Sequence, residues 1–468
     1  MRLRLRFRPI LVASIGAMLA LVPLAGLHAV DGTLDTSFWT DGKVYFSPAG
    51  SYQVEKVLIA PDGYRVVVGT VDDPGTGEQW FWKRIGDASA GTTCLFFPPG
   101  GATQGRGLAA QFDGAGRLVV AGSARYGSDR LAVARFSYPD CMLDDNFDGD
   151  GFYTLDLPGG SEEIQAMEIS PIGILTFGGY LHTALGNDMV VLQLTDNGAP
   201  VSGFSGNGWL TLDVSGAQLD DAVKGIAVDA QNRVVIGGST AYGASGDNAD
   251  FIAARFTSAG VLDPTFDGDG IARVAFDLGG GDLVYDDVFA MALDRATGAV
   301  ILAGSAQTLN TTDLAIVRLT SSGQPDTSFS GDGKVNNNFG FAAIRLNALL
   351  LDGLGRITVA GRAEPFSGSG GRDFIAARFT PAGSVDTSFS GNGWMKVGFD
   401  AGPATYVADE ARAATLDAGR LVLAGTAELD TDFRTGIALA RLEIALIFAD
   451  GLERGNVLAW SDASGSGP

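Results

Sequence analysis

Histidine and cysteine are both scarce in this chain of 468 residues, which holds two of each. His28 falls in the N-terminal leader, so a catalytic triad built on histidine would depend on His182 alone. No Cys-x-x-Cys pair and no Walker-type phosphate loop occurs, and the Gly-x-Gly strings belong to turns of a repeat. The sequence therefore excludes a histidine-metal cluster and lacks a nucleotide-binding signature.

Cationic residues are also few, because Lys and Arg number 32 against 54 Asp and Glu, for a net charge of −22. Nucleic acid and anionic membranes both require a cationic footprint, so this balance argues against them as partners. The balance favours solubility, and divalent cations or cationic partners suit it. Helical periodicity is missing, and no segment after the leader is long and apolar enough to span a bilayer.

The N-terminal segment at residues 1–29 has a basic start, an apolar stretch from Ile10 to Leu27 and small residues near its end. This pattern predicts a secretory signal peptide, with an uncleaved membrane anchor as the alternative. In an exported protein the two cysteines, Cys94 and Cys141, are candidates for a disulfide, and two separate thiols are the alternative.

Glycine is abundant, with 67 residues, and much of it falls in a repeat. The segment Asp250–Thr257 followed by Leu262–Gly270 returns as Asp313–Thr320 with Pro325–Gly333, and as Asp373–Thr380 with Val385–Gly393. A fixed period of about sixty residues indicates a repeat architecture. Each copy contains four short strands with turn residues at the joints.

Three features recur in phase within the copies. The third strand ends in a cationic residue before an apolar one, except at Gln193, and a Phe-x-Gly-x-Gly turn follows in most copies but is lost after Arg84. The second strand ends in a glycine in seven copies, at Gly69, Gly122, Gly179, Gly238, Gly304, Gly361 and Gly425.

The phase of the repeat predicts how the chain closes. A strand at Gly42–Phe46 follows the N-terminal Leu34–Phe38 turn, whereas the last copy stops at Arg441 with only three strands. Strand exchange would leave no unmatched edge in a ring. We therefore predict an all-β, seven-bladed β-propeller of four-stranded antiparallel blades at residues 30–443, in which Gly42–Phe46 joins the last blade. Residues 444–468 form a C-terminal tail.

The pattern Asp-Phe-x-x-Ala-Arg-Phe-x-x-x-Gly-x-Leu-Asp-x-x-Phe-x-Gly-x-Gly resembles the delta-60 repeat of exported bacterial proteins over residues 31–443. The first copy departs from it after Arg84, and the third has Gln193 for Arg and Ser202 for Asp. The resemblance implies an exported, propeller-like domain but no established reaction or ligand. Residues 447–461 are similar to a short C-terminal motif of exported proteins in some Gram-negative bacteria, which implies secretion or surface display.

Carboxylates are the one enriched chemical group. Acidic pairs such as Glu162-Glu163 and Asp409-Glu410 precede the first strands, and single acids precede the third strands. In an antiparallel blade both loops leave from the same face, so a propeller would gather the acids around one channel mouth. A Ca²⁺ site is the functional hypothesis, and satisfaction of backbone N–H groups at strand starts is the favoured structural one. The candidate ligands are Asp129, Asp188, Asp221, Asp250, Asp287, Asp313 and Asp373.

The repeated arginine is predicted to pair with the aspartate of the turn that follows it. In the third copy both residues are replaced together, by Gln193 and Ser202, which a pair would explain. The predicted pairs are Arg135 with Asp144, Arg255 with Asp263, Arg318 with Asp326, and Arg378 with Asp386. The Asp-Gly-Asp-Gly strings are interpreted as turns with positive φ in preference to calcium loops.

Packing between blades is the predicted role of the tryptophans at 80, 82, 209 and 394, with stacking on sugars as the alternative. The predicted function is an exported, monomeric binding or scaffold module for an extracellular protein or glycan, at the surface or in the periplasm of a Gram-negative bacterium. A metal-assisted hydrolase or lyase acting on an extracellular substrate such as polysaccharide at the acidic mouth is the alternative, and a structural wall component is a third. An enzyme would break the sameness of the repeats with a unique cluster of side chains.

Overall fold

The computed structural model describes residues 31–46, 50–216, 219–242, 248–276, 278, 285–366, 371–399, 408–428 and 434–444. The predicted signal peptide and the C-terminal motif at 447–461 lie outside the described residues. Every regular element in these ranges is a β-strand. No helix in the described part of the chain is long and apolar enough to cross a membrane.

The first half of the chain contributes fourteen short strands. They are β1 (Lys43–Phe46), β2 (Ser51–Ile59), β3 (Arg65–Asp73), β4 (Gly77–Ile85), β5 (Ala90–Phe96), β6 (Gln104–Phe112), β7 (Leu118–Arg125), β8 (Asp129–Ser137), β9 (Met142–Leu143), β10 (Phe152–Leu155), β11 (Ser161–Ile169), β12 (Leu175–Thr183), β13 (Gly186–Leu194) and β14 (Trp209–Leu212).

The second half continues the same pattern to the end of the described chain. Its strands are β15 (Asp221–Val228), β16 (Val234–Tyr242), β17 (Asn248–Phe256), β18 (Ile271–Val274), β19 (Asp286–Leu293), β20 (Val300–Gln307), β21 (Thr312–Leu319), β22 (Lys334–Asn337), β23 (Ala343–Leu351), β24 (Ile357–Glu364), β25 (Asp373–Phe379), β26 (Trp394–Val397), β27 (Glu410–Asp417), β28 (Arg420–Glu428) and β29 (Thr435–Glu443).

The strands form antiparallel groups of four, which we call units, paired in chain order except where β1 joins β27–β29; the short strand β9 adds to the edge of β8. One parallel bridge, between Thr312 and Ala343, joins the units β19–β22 and β23–β26 into an eight-stranded sheet, so the sheets number six. The predictions of an all-β fold and of four-stranded antiparallel sheets are confirmed. The other units are β2–β5, β6–β8 with β10, β11–β14, β15–β18, and β27–β29 with β1.

The unit β27–β29 takes its fourth strand from the N-terminal side of the described chain. β1 lies antiparallel to β29, with Lys43 opposite Ala440 and Phe46 opposite Ile437. The Arg441 N–H also donates to the Gly42 carbonyl, at 2.9 Å. β29 therefore has a partner on both sides and presents no free edge.

The core lies between units, because each sheet packs against its neighbours through both faces. On β3 the consecutive side chains of Val66, Val67 and Val68 are all fully buried, which is why the middle strands have continuous apolar sequences. The first strand of each unit contacts the first strand of the next, and β2 contacts both β6 and β27. Val54 and Val422 accordingly share one cluster that joins the first unit to the last.

The Phe-x-Gly-x-Gly turns and the variant turn Phe38-Trp-Thr-Asp-Gly42 tie every unit except the first, β2–β5, to the next through one backbone hydrogen bond. The phenylalanine of every turn is fully buried, and the residue after it adopts a φ of 51–55°. This left-handed conformation directs its N–H to a carbonyl of the neighbouring unit at 2.7–2.9 Å. The donors are Trp39, Asp148, Ser205, Asp267, Ser330 and Ser390, and their acceptors are Asp87, Asn197, Ala259, Ser322, Ala382 and Asp31.

The first unit lacks this turn after Arg84 and is joined to the second unit differently. A disulfide links Cys94 on β5 to Cys141 in the loop that follows β8. Beside it, the Tyr138 hydroxyl donates to Asp62 Oδ1 at 3.0 Å, and Arg84 Nη2 lies 2.6 Å from Asp62 Oδ2. The disulfide therefore links the first unit to the second, whereas glycine turns link the other neighbouring units.

Replacing both cysteines tests this role. Because the bond cross-links two units and closes a loop of 47 residues, the double variant Cys94→Ser, Cys141→Ser should lose about 2–4 kcal/mol of unfolding free energy. Urea unfolding followed by tryptophan fluorescence measures the change, and reduction of the native chain should reproduce it. A loss below about 0.5 kcal/mol in both experiments would contradict the assigned role.

Candidate functional site

The structure brings each predicted arginine and aspartate into contact. Nε to Oδ2 distances are 2.8 Å for Arg135 with Asp144, 2.8 Å for Arg255 with Asp263, 2.8 Å for Arg318 with Asp326, and 2.7 Å for Arg378 with Asp386. Arg441 makes the same contact with Asp35 across the junction of the last unit, at 2.7 Å. Each guanidinium also lies 4.9–5.1 Å from the ring centroid of the turn phenylalanine.

These arginines also reach the following unit, so none of them is available for a ligand. Arg255 Nη1 donates to the Ser321 carbonyl, Arg135 Nη1 to the Asp196 carbonyl, and Arg441 Nη1 to Asp87 Oδ1. Burial raises the pKa of Asp144, but hydrogen bonds from Asn146 and the charge of Arg135 outweigh it and hold that pKa below its usual value. In the third unit the Gln193 amide donates to Thr176 Oγ1 instead.

One acid of each acidic pair is a backbone acceptor inside the fold: the first acid in three pairs and the second in Asp220-Asp221. Its side chain is almost fully buried, and one carboxylate oxygen accepts an N–H from the loop that leads out of the preceding outer strand. The contacts are Leu157 N to Glu162 Oε1 at 3.0 Å, Val214 N to Asp221 Oδ2 at 2.7 Å, Phe276 N to Asp286 Oδ2 at 2.7 Å, and Phe399 N to Asp409 Oδ2 at 2.7 Å.

The acids before the third strands do not converge. Asp129 accepts from Arg125, Asp313 accepts from Asn336, and Asp373 lies beside Lys396. Asp250 on β17 also has contacts of its own, and Asp188 lines a surface pocket of about 440 Å³ with Asp213. Across the described ranges no three Asp, Glu, Cys or His side chains group closely enough to hold a metal ion.

A cavity lies where the first strands of the units meet, and its lining, which the sequence patterns did not predict, begins with a bulge in each of these strands. The pairing between first and second strands shifts by one residue, for example between Val54 and Lys56 on β2. The extra residue of each bulge lines the cavity. These residues are Glu55, Leu108, Gln165, Lys224, Phe289, Asn347 and Arg412.

The signature glycines of the second strands make these bulges feasible. At Gly69 an added Cβ would lie 1.9 Å from the Gln53 carbonyl oxygen, and the other six glycines show the same clash at 1.7–1.9 Å. Any side chain there would therefore push the bulged strand away. The sequence did carry a signal for the cavity, since the lining residue lies about fourteen positions before each glycine of the repeat.

The cavity has a volume of about 320 Å³, and its charged residues are mostly cationic, which corrects the expectation of an acidic mouth. The physical reason is that one acid of each pair turns into the fold as a backbone acceptor. Apart from Leu108, Gln165, Phe289 and Asn347, the lining consists of six cations and two carboxylates: Lys56, Arg106, Lys224, Arg345, Arg362 and Arg412, with Glu55 and Glu410.

Ion pairs hold most of these charges. Arg412 Nη2 contacts both oxygens of Glu55, at 2.8 and 3.0 Å. Arg362 Nη1 lies 3.1 Å from Glu410 Oε2, and Asn347 Nδ2 donates to Glu410 Oε1 at 2.9 Å. The two lining carboxylates are therefore already engaged.

Two more cations of the lining also have partners: Arg106 binds a carboxylate beside the cavity, and Lys224 binds an amide oxygen. Arg106 Nη1 lies 2.8 Å from Glu163 Oε2. Lys224 Nζ donates to Gln165 Oε1 at 3.2 Å, and burial lowers the pKa of Lys224 although Asp287 and Glu163 oppose that effect. Asp287, a predicted metal ligand, thus favours the charged form of Lys224.

The remaining candidates lie away from the cavity. His182 is on β12, where its Nδ1 lies 2.7 Å from Asn187 Oδ1 at the surface. Trp80 and Trp82 are buried between the first two units, as packing predicted, and Trp394 stacks on Phe339 with ring centroids 5.8 Å apart.

Glu162 offers a pH test of the buried acceptors. Burial raises its pKa from 4.5 to about 7 in the folded chain, so the folded state binds more protons than the unfolded state between these values. Its contribution to stability therefore falls as the pH rises from 4.5 to about 7. Glu162→Gln keeps an acceptor for Leu157 N, and at pH 8 it should raise the unfolding free energy by roughly 1–3 kcal/mol.

Unfolding in urea at pH 5 and pH 8 measures this effect, and the two chains should differ little at pH 5. Glu78→Gln, a matched change near the start of β4, should not reproduce the gain. An equal midpoint for Glu162→Gln and the native chain at pH 8 would show that the carboxyl is not destabilised by burial.

Three segments, residues 232–266, 296–329 and 355–389, match the family model described as "Domain of unknown function (DUF5122) beta-propeller". Each segment begins near a second strand and ends at the phenylalanine of a turn. No curated protein matches the sequence.

Solved structures with similar folds include proteins of different kinds. A protein of unknown function from Dyadobacter fermentans DSM 18053 is 13% identical, with 86% of this chain and 98% of that chain covered and a TM-score of 0.45. A PL25 ulvan lyase is 11% identical, with 86% and 96% covered and a TM-score of 0.47. Chaetomium thermophilum Sqt1 bound to the N-terminus of ribosomal protein L10 is 12% identical, with 85% and 98% covered and a TM-score of 0.40.

At these scores the solved structures carry no conclusion about activity. The family match, together with the four-stranded antiparallel sheets, supports a β-propeller repeat family for this chain.

Proposed function

We propose that the units are the seven blades of a closed ring and that the protein is a binding module whose ligand site is the central cavity. The antiparallel pairing of β1 with β29 supports closure. So do the contact of Arg441 with Asp35 and the packing of β2 against β27. The N-terminal leader pattern at residues 1–29 supports export to the surface or periplasm.

One observation carries the binding proposal. The scaffold positions repeat almost unchanged around the chain, whereas the seven bulge residues are Glu, Leu, Gln, Lys, Phe, Asn and Arg, with no type used twice. Blade construction alone would favour the same side chain at equivalent positions. Seven different side chains that meet in one cavity are the asymmetry that recognition of a ligand requires.

Binding fits this lining better than catalysis. Glu55 and Glu410 are both held by arginines, so neither carboxylate is poised to remove a proton from a substrate. The alternative, a metal-assisted hydrolase or lyase, would require carboxylates directed together at the ligand. The seven candidate aspartates, all within the described ranges, do not group in that way.

A glycan array probed with and without chelator tests the proposal. Leu108→Trp fills the cavity and should abolish binding, whereas Leu309→Trp, which enlarges an exposed leucine on the β20–β21 hairpin, should leave binding unchanged. Phe289→Trp provides a second cavity-filling variant. Chelator should have no effect on the native chain.

Binding that survives both cavity-filling variants in folded protein would refute the cavity as the site. Binding or turnover that chelator removes would favour the metal-assisted alternative. Circular dichroism and the thermal midpoint establish that each variant is folded.

A further inference from the structure

We propose that the ligand of the central cavity is an anionic sugar unit, bearing a carboxylate or a sulfate, and that Lys56 and Arg345 bind its charged group. This inference rests on the proposed function and adds the chemical class of the ligand. The anionic sugar unit can be a free monosaccharide or one sugar residue of a longer glycan chain.

The charge of the cavity opposes that of the whole protein. The chain carries 54 acidic and 32 basic residues, yet its cavity lining has six cations and only two carboxylates. A lining with the same ratio of acidic to basic residues as the whole chain would carry a net negative charge. An excess of positive charge in a walled site concentrates anions and excludes cations, which makes an anion the natural occupant.

The pairing pattern leaves two cations over. Arg412 pairs with Glu55, Arg362 with Glu410, and Arg106 with Glu163, while Lys224 donates to the amide oxygen of Gln165. The side chains of Lys56 and Arg345 make no hydrogen bond or salt bridge to any residue that the structure describes. They lie on β2 and β23, the two first strands that flank β27, so an anion in the cavity between them could contact both.

Lys56 is half-buried between the units, where an unmatched charge is unfavourable, whereas Arg345 is an exposed residue of the lining. Burial lowers the pKa of Lys56 although the neighbouring Glu55 opposes this effect, and the charge of Arg412 adds to the lowering. Arg362, next to Arg345, also has a lowered pKa through burial. The carboxylate that acts on Lys56, Glu55, is already paired with Arg412, so a bound anion would supply a further counter-charge.

The uncharged part of the lining suits a sugar ring. The amides of Gln165 and Asn347 can donate to and accept from hydroxyl groups. Leu108 and Phe289 offer apolar surface to the C–H face of a pyranose. The cavity volume, about 320 Å³, is at the small end of ligand pockets, which favours a single sugar unit over a long segment.

Calorimetric titration of the full chain with three matched probes tests the inference. Galacturonate carries the carboxylate, galactose 6-sulfate carries the sulfate, and galactose is the neutral control. We expect at least one anionic probe to bind about tenfold or more tightly than galactose, with an affinity that falls as salt is raised. The two anionic probes distinguish carboxylate from sulfate recognition.

Two charge-removing variants and one matched control identify the contacts. Lys56→Gln and Arg345→Gln should each weaken the preferred anionic probe about tenfold and leave galactose unchanged. Lys396→Gln removes a cation on the outer strand β26, where it pairs with Asp373, and should not change binding. Because neither Lys56 nor Arg345 has a described partner to lose, both variants should retain or exceed the native thermal midpoint.

Equal affinity for galactose and both anionic probes would overturn the inference, as would tight anion binding that survives both substitutions. A glycan-array signal that Leu108→Trp blocks but that Lys56→Gln and Arg345→Gln do not alter would leave the cavity as the binding site and refute its preference for anions. Failure of both anionic probes to bind would also refute it.

Discussion

Neighbouring units are held together where a buried phenylalanine is followed by a residue in the left-handed conformation. That conformation turns one N–H out of its own strand pair and onto a carbonyl of the next unit, as Asp267 does with Ser322. The arginine of the same unit lies over the phenylalanine ring, binds the turn aspartate and reaches the next unit as well. A single cluster of repeat residues thus fixes the turn and the contact between units together, and removal of one partner would leave a buried charge unmatched.

The need to join neighbouring units also explains the contacts found where the repeated turn is missing or is divided between distant parts of the chain. The first unit has no such turn, and there the Cys94–Cys141 disulfide and the contacts among Arg84, Asp62 and Tyr138 make the connection. At the last unit the arginine and the aspartate come from opposite sides of the described chain, as Arg441 and Asp35. The same interaction therefore serves both ordinary neighbours and the junction of the two ends.

A second constraint separates the scaffold from the site. The glycine on each second strand leaves room for a carbonyl that lies two residues before the bulge in the first strand, and the bulge brings one side chain into the cavity. The glycine is restricted by a contact shorter than any side chain permits, whereas the bulge residue touches the cavity and is free to vary. The second-strand glycines are therefore the same in every unit, whereas the bulge residues that line the cavity differ.

The sequence could predict the strands, the four-stranded sheets and the partners of Arg135 or Arg318, because these depend on residues that recur at fixed spacing. It could not predict the cavity lining, since Lys224 and Phe289 share a structural position but no chemistry. For the repeated acids, the sequence favoured backbone N–H groups over a metal ion as partners. Repetition placed Glu162 and Asp221 in register, but only the structure identifies their donors as the N–H groups of Leu157 and Val214.

Closure of the ring is tested most directly by an engineered disulfide between β1 and β29. Lys43 and Ala440 lie opposite each other on β1 and β29, so the variant Lys43→Cys, Ala440→Cys should form an intramolecular bond under mild oxidation, identified by peptide mapping. The matched variant Lys43→Cys, Thr435→Cys places the second cysteine at the far end of β29 and should not form the bond. Failure of the 43–440 pair to form a bond in folded monomer, or equal bonding in both variants, would contradict a ring in which β1 is the last strand.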